Sequence, residues 1–365
     1  MKEFTAYAND HAAQILDTLQ EMVNLESFST DKTGTDVLGA YIKGRLEAVG
    51  ATVEVIPQTE VGDHLLAEVG EGEDQVLILC HMDTVWAGGT IQERPFRVEN
   101  GMAYGPGILD MKAGIAVTIH ALEVMRSLGV IPKQRIRIVI NSDEELGSTT
   151  SRQLIEEQAR KSTHVYCLEP GAGTQGALKT GRKGVGIFLV KVTGRAAHAG
   201  NEPEKGVSAV EELAHQILRL HSFTDLSVGT TVNVGVMSGG SVRNQIAPFA
   251  EAMVDLRVVS AAEGERVERE ILALTPVLKD ATLEITGGLN RPPMERTENT
   301  AMLFAAAQNI AQPLGITLTE AQVGGGSDAQ FAAAAGVPVL DGLGGVGEGP
   351  HADHEYIIVD SLPER

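Results

Sequence analysis

Apolar positions in the first fifty residues recur with a helical period. Ile15, Leu19, Met22 and Val23 share one face of residues 11–24, and residues 36–49 repeat the pattern, which predicts two amphipathic helices. The period then shortens to β-like runs at 52–56, 64–69 and 75–80. A helix at 111–128, a strand at 135–141, a helix at 149–160 and a strand at 164–168 follow. Compact apolar strands alternating with helices predict an α/β fold with a mixed, mostly parallel sheet covered on both faces.

From Gly184 the order changes to strand 185–192, helix 206–221, strands 230–237 and 249–259, helix 263–274 and strand 281–285. That β-α-β-β-α-β succession is the split unit of a ferredoxin-like α+β domain. Its free edge strand and helix favour pairing with a second copy of the chain. After Gly288 the α/β style resumes, with helices at 300–312 and 328–335 and a strand at 337–340. The expected organisation is a large domain from residues 1–180 and 290–365, with a domain of residues 181–289 inserted in it. Hinges are expected near 179–183 and 287–290.

At 365 residues the chain is too long for one ordinary core, which agrees with two domains. A balance of 29 basic against 49 acidic residues argues against nucleic acid or an anionic membrane as partner. No stretch approaches the ~18 apolar residues of a membrane span. Asp10, His11 and Gln14 interrupt the run a signal peptide needs, so a cytoplasmic location is expected. Cys80 and Cys167 sit in apolar strand-like runs and are expected as buried, reduced thiols.

The candidate chemistry lies at strand ends and in glycine-rich loops. His81 follows the run 76–80, with Asp83 two residues on; a strand's carboxyl end is where open α/β sheets bind ligands. Asp110 stands at a helix entry after Gly105-Pro106-Gly107, where it is either an N-cap or a carboxylate with two oxygens to share between cations. Ser142-Asp143-Glu144-Glu145 follows the strand 135–141, and its three adjacent acids repel one another unless cations or solvent offset them. Glu169 ends the strand 164–168 before Pro170. His351 and His354 share a glycine-rich loop, and spacing does not choose between them. Two imidazoles and three carboxylates suffice for two divalent ions if one carboxylate bridges, with a further glutamate as proton carrier.

At these residues the chain resembles the dinuclear zinc amidohydrolases, a family of glutamate carboxypeptidases, acetylornithine deacetylases, succinyl-diaminopimelate desuccinylases, tripeptidases and aminoacylases. The resemblance runs from His81 to Glu355. It implies that His81 and Glu169 bind one zinc, that Glu145 and His351 bind the other, and that Asp110 bridges them. Cobalt or manganese are substitutes such ligands also accept. The resemblance makes Asp83 the residue that orients His81, and Glu144 the general base and acid. It leaves His354 outside the ligand set and implies a cis peptide at Asp110-Met111.

Within the insert, Gly194-Arg195-Ala196-Ala197-His198-Ala199-Gly200 matches the family motif whose histidine stabilises the oxyanion in the partner subunit's site, a role implied for His198. Gly239-Gly240-Ser241-Val242-Arg243-Asn244 and Asp255-Leu256-Arg257 imply Asn244 near the scissile group and Arg257 near the substrate carboxylate. Asn290-Arg291-Pro292-Pro293 is most similar to the glutamate carboxypeptidase branch, where the arginine, here Arg291, meets the substrate carboxylate. Gly324-Gly325-Gly326-Ser327-Asp328 resembles a loop lining that pocket.

The expected activity is hydrolysis of the amide next to a C-terminal, acidic amino acid, by water activated between two metals. N-acyl-amino-acid deacylation is the alternative, on small peptide or N-acyl substrates, by a homodimer. A metal-binding scaffold without turnover is a distant third, disfavoured by Glu144 beside an intact ligand set.

Overall fold

The computed structural model describes residues 2–365. The chain divides into two units: a larger one of the chain up to Gly181, Arg296–Val323 and Ser327–Arg365, and a smaller one of Arg182–Glu295 with Gly324–Gly326.

The larger unit is built on a six-stranded sheet. Its strands run, edge to edge, Thr52–Ile56, His64–Val69, Arg135–Asn141, Gln75–His81, Ser162–Cys167 and Val339–Leu340. The last four are mutually parallel and the first two antiparallel, so the sheet is mixed. The central strand Gln75–His81 is buried along nearly its whole length and carries apolar residues on both faces, as a strand between parallel neighbours does. Arg135–Asn141 instead sets Ile136, Ile138 and Ile140 on one face against Arg135, Arg137, Val139 and Asn141 on the other. Ala113–Ser127, buried through most of its length, packs in the main core with Leu19, Met22, Leu38, Ile42, Leu65 and Ile138. Gly114 lets that helix approach the tip of the strand Ser162–Cys167: a Cβ there would stand 2.0 Å from the Leu168 carbonyl oxygen.

The helix expected from residue 111 begins at Ala113. Residues Ile108–Lys112 form a wider, irregular turn with non-helical backbone at Asp110 and Met111, and the Asp110–Met111 peptide is cis. Sequence periodicity also misses a four-stranded antiparallel sheet ordered Gly347–Glu348, Tyr356–Ile358, Met102–Tyr104, Arg97–Glu99. Strands of two or three residues show no period. Pairing of Tyr356 with Tyr104 brings the loop carrying His351 beside the loop carrying Asp110.

In the smaller unit, an antiparallel sheet ordered Thr231–Gly239, Phe249–Val258, Gly184–Thr193, Thr282–Arg291 carries the helices Ala209–Ser222 and Ala261–Leu272. Connectivity and strand order are those of a ferredoxin-like domain. Its last strand runs ten residues rather than the five expected and pairs as far as Arg291. Gly287 and Gly288, which read as the way out of the insert, lie inside that strand. A Cβ on Gly287 would sit 2.1 Å from the Ile187 carbonyl, so glycine here serves close strand approach, and the smaller unit continues to Glu295.

Both cysteines are buried free thiols, and burial pushes the Cys80 thiol up to about 12. Among the described residues, no helix is long and apolar enough to cross a membrane.

Candidate metal centre

Strand register sets three acids and a histidine at one end of the large sheet. His81 lies beside Asn141, the last residue before the acidic turn, while Leu79 lies beside Cys167. His81 and Glu169 are thus each two residues past a paired position, at the same level of adjacent parallel strands. Glu144 and Glu145 follow Asn141 in a short helical turn.

Five side chains expected as ligands converge in two groups. His81, Asp110 and Glu169 form one, and Asp110, Glu145 and His351 the other; within each, the candidate ligand atoms lie within 4.8 Å of one another. His81 Nε2 stands 3.2 Å from Asp110 Oδ1 and 3.5 Å from Glu169 Oε1. His351 Nε2 stands 3.1 Å from Glu145 Oε1 and 3.4 Å from Asp110 Oδ2. Asp110 therefore turns one oxygen to each group. His351 reaches its place in left-handed backbone, φ 63°, which few non-glycine residues adopt.

Crowded carboxylates draw protons onto both imidazoles. Burial disfavours the charged form of His81, yet Asp110, Asp83 and Glu169 raise its pKa well above the ordinary value. Hydrogen bonds to Asp110 and Glu145 raise that of His351 to about 10. Burial pushes the Asp110 carboxyl up, but His351 and His81 outweigh it and hold it well below the usual range. For Glu145 burial wins and the pKa rises. Positive charge is thus strongly favoured here, and the imidazole–carboxylate donor set fits a pair of divalent cations with Asp110 shared.

The acidic run divides its roles. Asp143 is fully buried and accepts from Thr150 N, Thr150 Oγ1 and Ser151 Oγ, so it builds the turn. Glu145 joins a ligand group, and half-buried Glu144, beside it, belongs to neither. Asp83 serves His81 mainly through its backbone: His81 Nδ1–H donates to the Asp83 carbonyl at 3.0 Å, while the carboxylate Oδ1 lies 3.5 Å away. That bond leaves Nε2 facing the ligand groups. The Asp83 carboxylate accepts from Ser29 Oγ at 2.7 Å and from the peptide N–H groups of Glu144 and Glu145, each at 3.2 Å.

Sequence reading gave Glu355 no role, although it closes the His351 loop. It is 2% exposed and accepts from Trp86 Nε1, Gly107 N and Leu109 N, each at 2.9 Å, and from Asp110 N at 3.0 Å. Burial raises the pKa of its carboxyl, and the four N–H donors, which suit an ionised carboxylate, offset only part of that rise. An acid following the histidine loop and preceding an apolar strand was the available signal.

The remaining candidates lie in the smaller unit. His198 and Asn244 are exposed residues of two loops joined by backbone pairing, with Ala199 N donating to Asn244 O at 3.0 Å and His198 bridged to Gln245. His198 Nδ1 accepts from Gly200 N and Asn201 N at 3.1 and 3.0 Å, which makes Nε2 the protonated nitrogen of the neutral ring. Arg257 and Arg291 both pair with Val185, from opposite sides, and so stand in one row roughly 10 Å apart. Arg257 forks onto Asp255 through Nε and Nη2, each at 2.9 Å, and Nη1 donates to Gly324 O. Arg291 is 4% exposed.

The sequence profile of peptidase family M20/M25/M40 matches residues 77–365. The chain belongs to that family. This M20 chain is 33% identical to carboxypeptidase G2 of Pseudomonas sp. (strain RS-16) over 365 residues, 98% of this chain and 88% of that protein. It is 26% identical to an acetylornithine deacetylase of Proteus mirabilis over 262 residues, 66% of each. The crystal structure of aminopeptidase PepT from Bacillus cereus shares the fold, with a TM-score of 0.78 at 22% identity over 97% of the M20 chain and 95% of the other. Membership makes the M20 chain a hydrolase of peptidase type, with a mixed α/β unit and a ferredoxin-like unit.

Proposed function

We propose that the protein is a two-metal exopeptidase that hydrolyses the amide next to a C-terminal, acidic amino acid. The observation that carries this is Asp110 shared between two ligand groups, with Glu144 beside them and in neither. Similarity to carboxypeptidase G2 and the Asn290-Arg291-Pro292-Pro293 motif support the substrate class.

His81, Glu169 and Asp110 would hold one cation, and Asp110, Glu145 and His351 the other, zinc by resemblance. When bound, such a pair lowers the pKa of water toward ~7 and polarises the substrate carbonyl. Glu144 takes the proton from the attacking water and passes it to the leaving amine. His198, supplied by a second copy of the chain, donates Nε2–H to the developing oxyanion. Arg291 would receive the substrate carboxylate bidentately, Asn244 would act near the scissile group, and Arg257, whose guanidinium is paired with Asp255, would stand near that carboxylate.

Dimerisation is proposed through the smaller unit. Its edge strand Thr231–Gly239 and the neighbouring helix Ala209–Ser222 expose Val236, Met237 and Leu218, at 63%, 69% and 72%. The chain's similarity to acetylornithine deacetylase favours a second reading, N-acyl-amino-acid deacylation. Zinc-loaded protein assayed side by side on folyl-glutamate, N-acyl-glutamates, other N-acyl amino acids and dipeptides separates them. Fastest turnover of amides to C-terminal glutamate is expected; preference for N-acetylated basic amino acids favours the second reading, and indifference to a free α-carboxylate overturns both.

A further inference from the structure

Glu355 joins three segments of the larger unit that carry ligands. Its carboxylate receives Trp86 from the loop after His81 and three peptide N–H groups from the loop before Asp110, while its own backbone lies four residues past His351. Strand pairing does not do this work, because the ladder between Tyr356–Ile358 and Met102–Tyr104 ends at Tyr104. Beyond it, the N–H groups of Gly107, Leu109 and Asp110 are received by Glu355, and the Asp110 bond acts on the ligand's own peptide. All four partners are donors, so the site requires two acceptor oxygens; an amide oxygen and NH2 group would turn a donor toward a donor. The His351 loop is closed on the same residue by Glu355 N donating to Ala352 O.

We propose that Glu355 is a positioning residue that sets where the Asp110 carboxylate stands between the two ligand groups, and thereby the affinity and spacing of the cation pair. The proposal rests on the two-cation reading above. Hydrogen-bond partners of metal ligands typically govern ~10–100-fold in affinity or activity.

The test compares full-length parent, Glu355→Gln and Glu355→Asp by Zn²⁺ titration calorimetry, by the visible spectrum of the Co²⁺-loaded protein, and by kcat and KM. In Glu355→Gln, affinity for at least one ion should fall ~10-fold or more, the cobalt bands should shift, and kcat should fall with KM changing less than about threefold. Glu355→Asp should recover part of each. A Glu355→Gln protein with parental affinity and cobalt spectrum, losing only thermal stability, overturns the proposal. Should that variant not fold, Glu355→Asp decides on the same readouts, and parental affinity and spectrum there overturn it. A parent that binds fewer than two ions per chain overturns the two-cation reading itself, whatever the variants do.

Discussion

Glu144 donates its peptide N–H to Asp83 Oδ1 at 3.2 Å, across 61 residues of sequence. Because Glu145 N reaches the other oxygen of the same carboxylate, Asp83 holds the backbone of both the proposed proton carrier and a proposed ligand. Asp83 is fully buried, so this clamp works away from solvent. Replacing it with Asn leaves the His81–carbonyl bond intact but turns an NH2 group toward N–H or O–H donors. Asp83→Asn is expected to lower kcat by ~10–100-fold with a smaller change in KM. Parental kcat in this variant would refute the clamp.

Glu144 lies outside both ligand groups, so its loss should separate binding from chemistry. Glu144→Gln should retain two bound ions while kcat drops by ~10²–10⁴ or more. Metal content by elemental analysis, paired with steady-state kinetics, checks this. Near-normal turnover would remove Glu144 from the mechanism.

Protons and cations compete for the site. His81 and His351 both hold protons more tightly than ordinary histidines, so metal binding must displace them. Calorimetry in buffers of different ionisation enthalpy should show release of up to about two protons per chain near neutral pH, and apparent affinity that rises with pH. No buffer dependence would contradict the protonated imidazoles.

The same shift sets a stability trend for chelated protein. The folded pKa of His351 is about 10, above its unfolded value. Its contribution is fully present below about pH 6.5 and is lost as pH rises through about 10. The side chain is half exposed, so solvent screening keeps the effect small. Thermal melts of metal-free parent and His351→Gln across this range should converge as pH rises. A gap between them that is constant with pH would rule the linkage out.

Gly114 is where the helix Ala113–Ser127 meets the carbonyl of Leu168, one residue before Glu169. Gly114→Ala must displace backbone on one side, at a cost of about 1–3 kcal/mol or more in stability. Denaturant unfolding measures this, and zinc affinity should weaken with it. An unchanged midpoint would show that the helix relaxes freely.

Part of the candidate site was legible because three of its residues sit where a strand ends. His81, Glu145 and Glu169 follow apolar strands, and hydrophobic period reports where strands stop. Asp110 and His351 were visible only as loop residues; their grouping came from family resemblance, and the structure brings them together. What local pattern could not convey is partnership across the chain. The local signal at Glu355, an acid between a histidine loop and an apolar strand, does not name the peptide 245 residues away that its carboxylate holds, and nothing in the acidic run says that Asp143 turns inward.

The chain's pattern by itself determined a mixed α/β unit interrupted by a ferredoxin-like one, and an acid or histidine at three strand ends, because periodicity and punctuation are properties of a single segment. Tertiary structure decided the rest. It decided that Asp83 steadies His81 through its carbonyl and the acidic turn through its carboxylate. It also decided that short strands bind the His351 loop to the Asp110 loop, and that glycines at 287 and 288 lie inside a strand. Those outcomes depend on hydrogen-bond donors and close approaches supplied by distant segments, which exist only once the chain has packed.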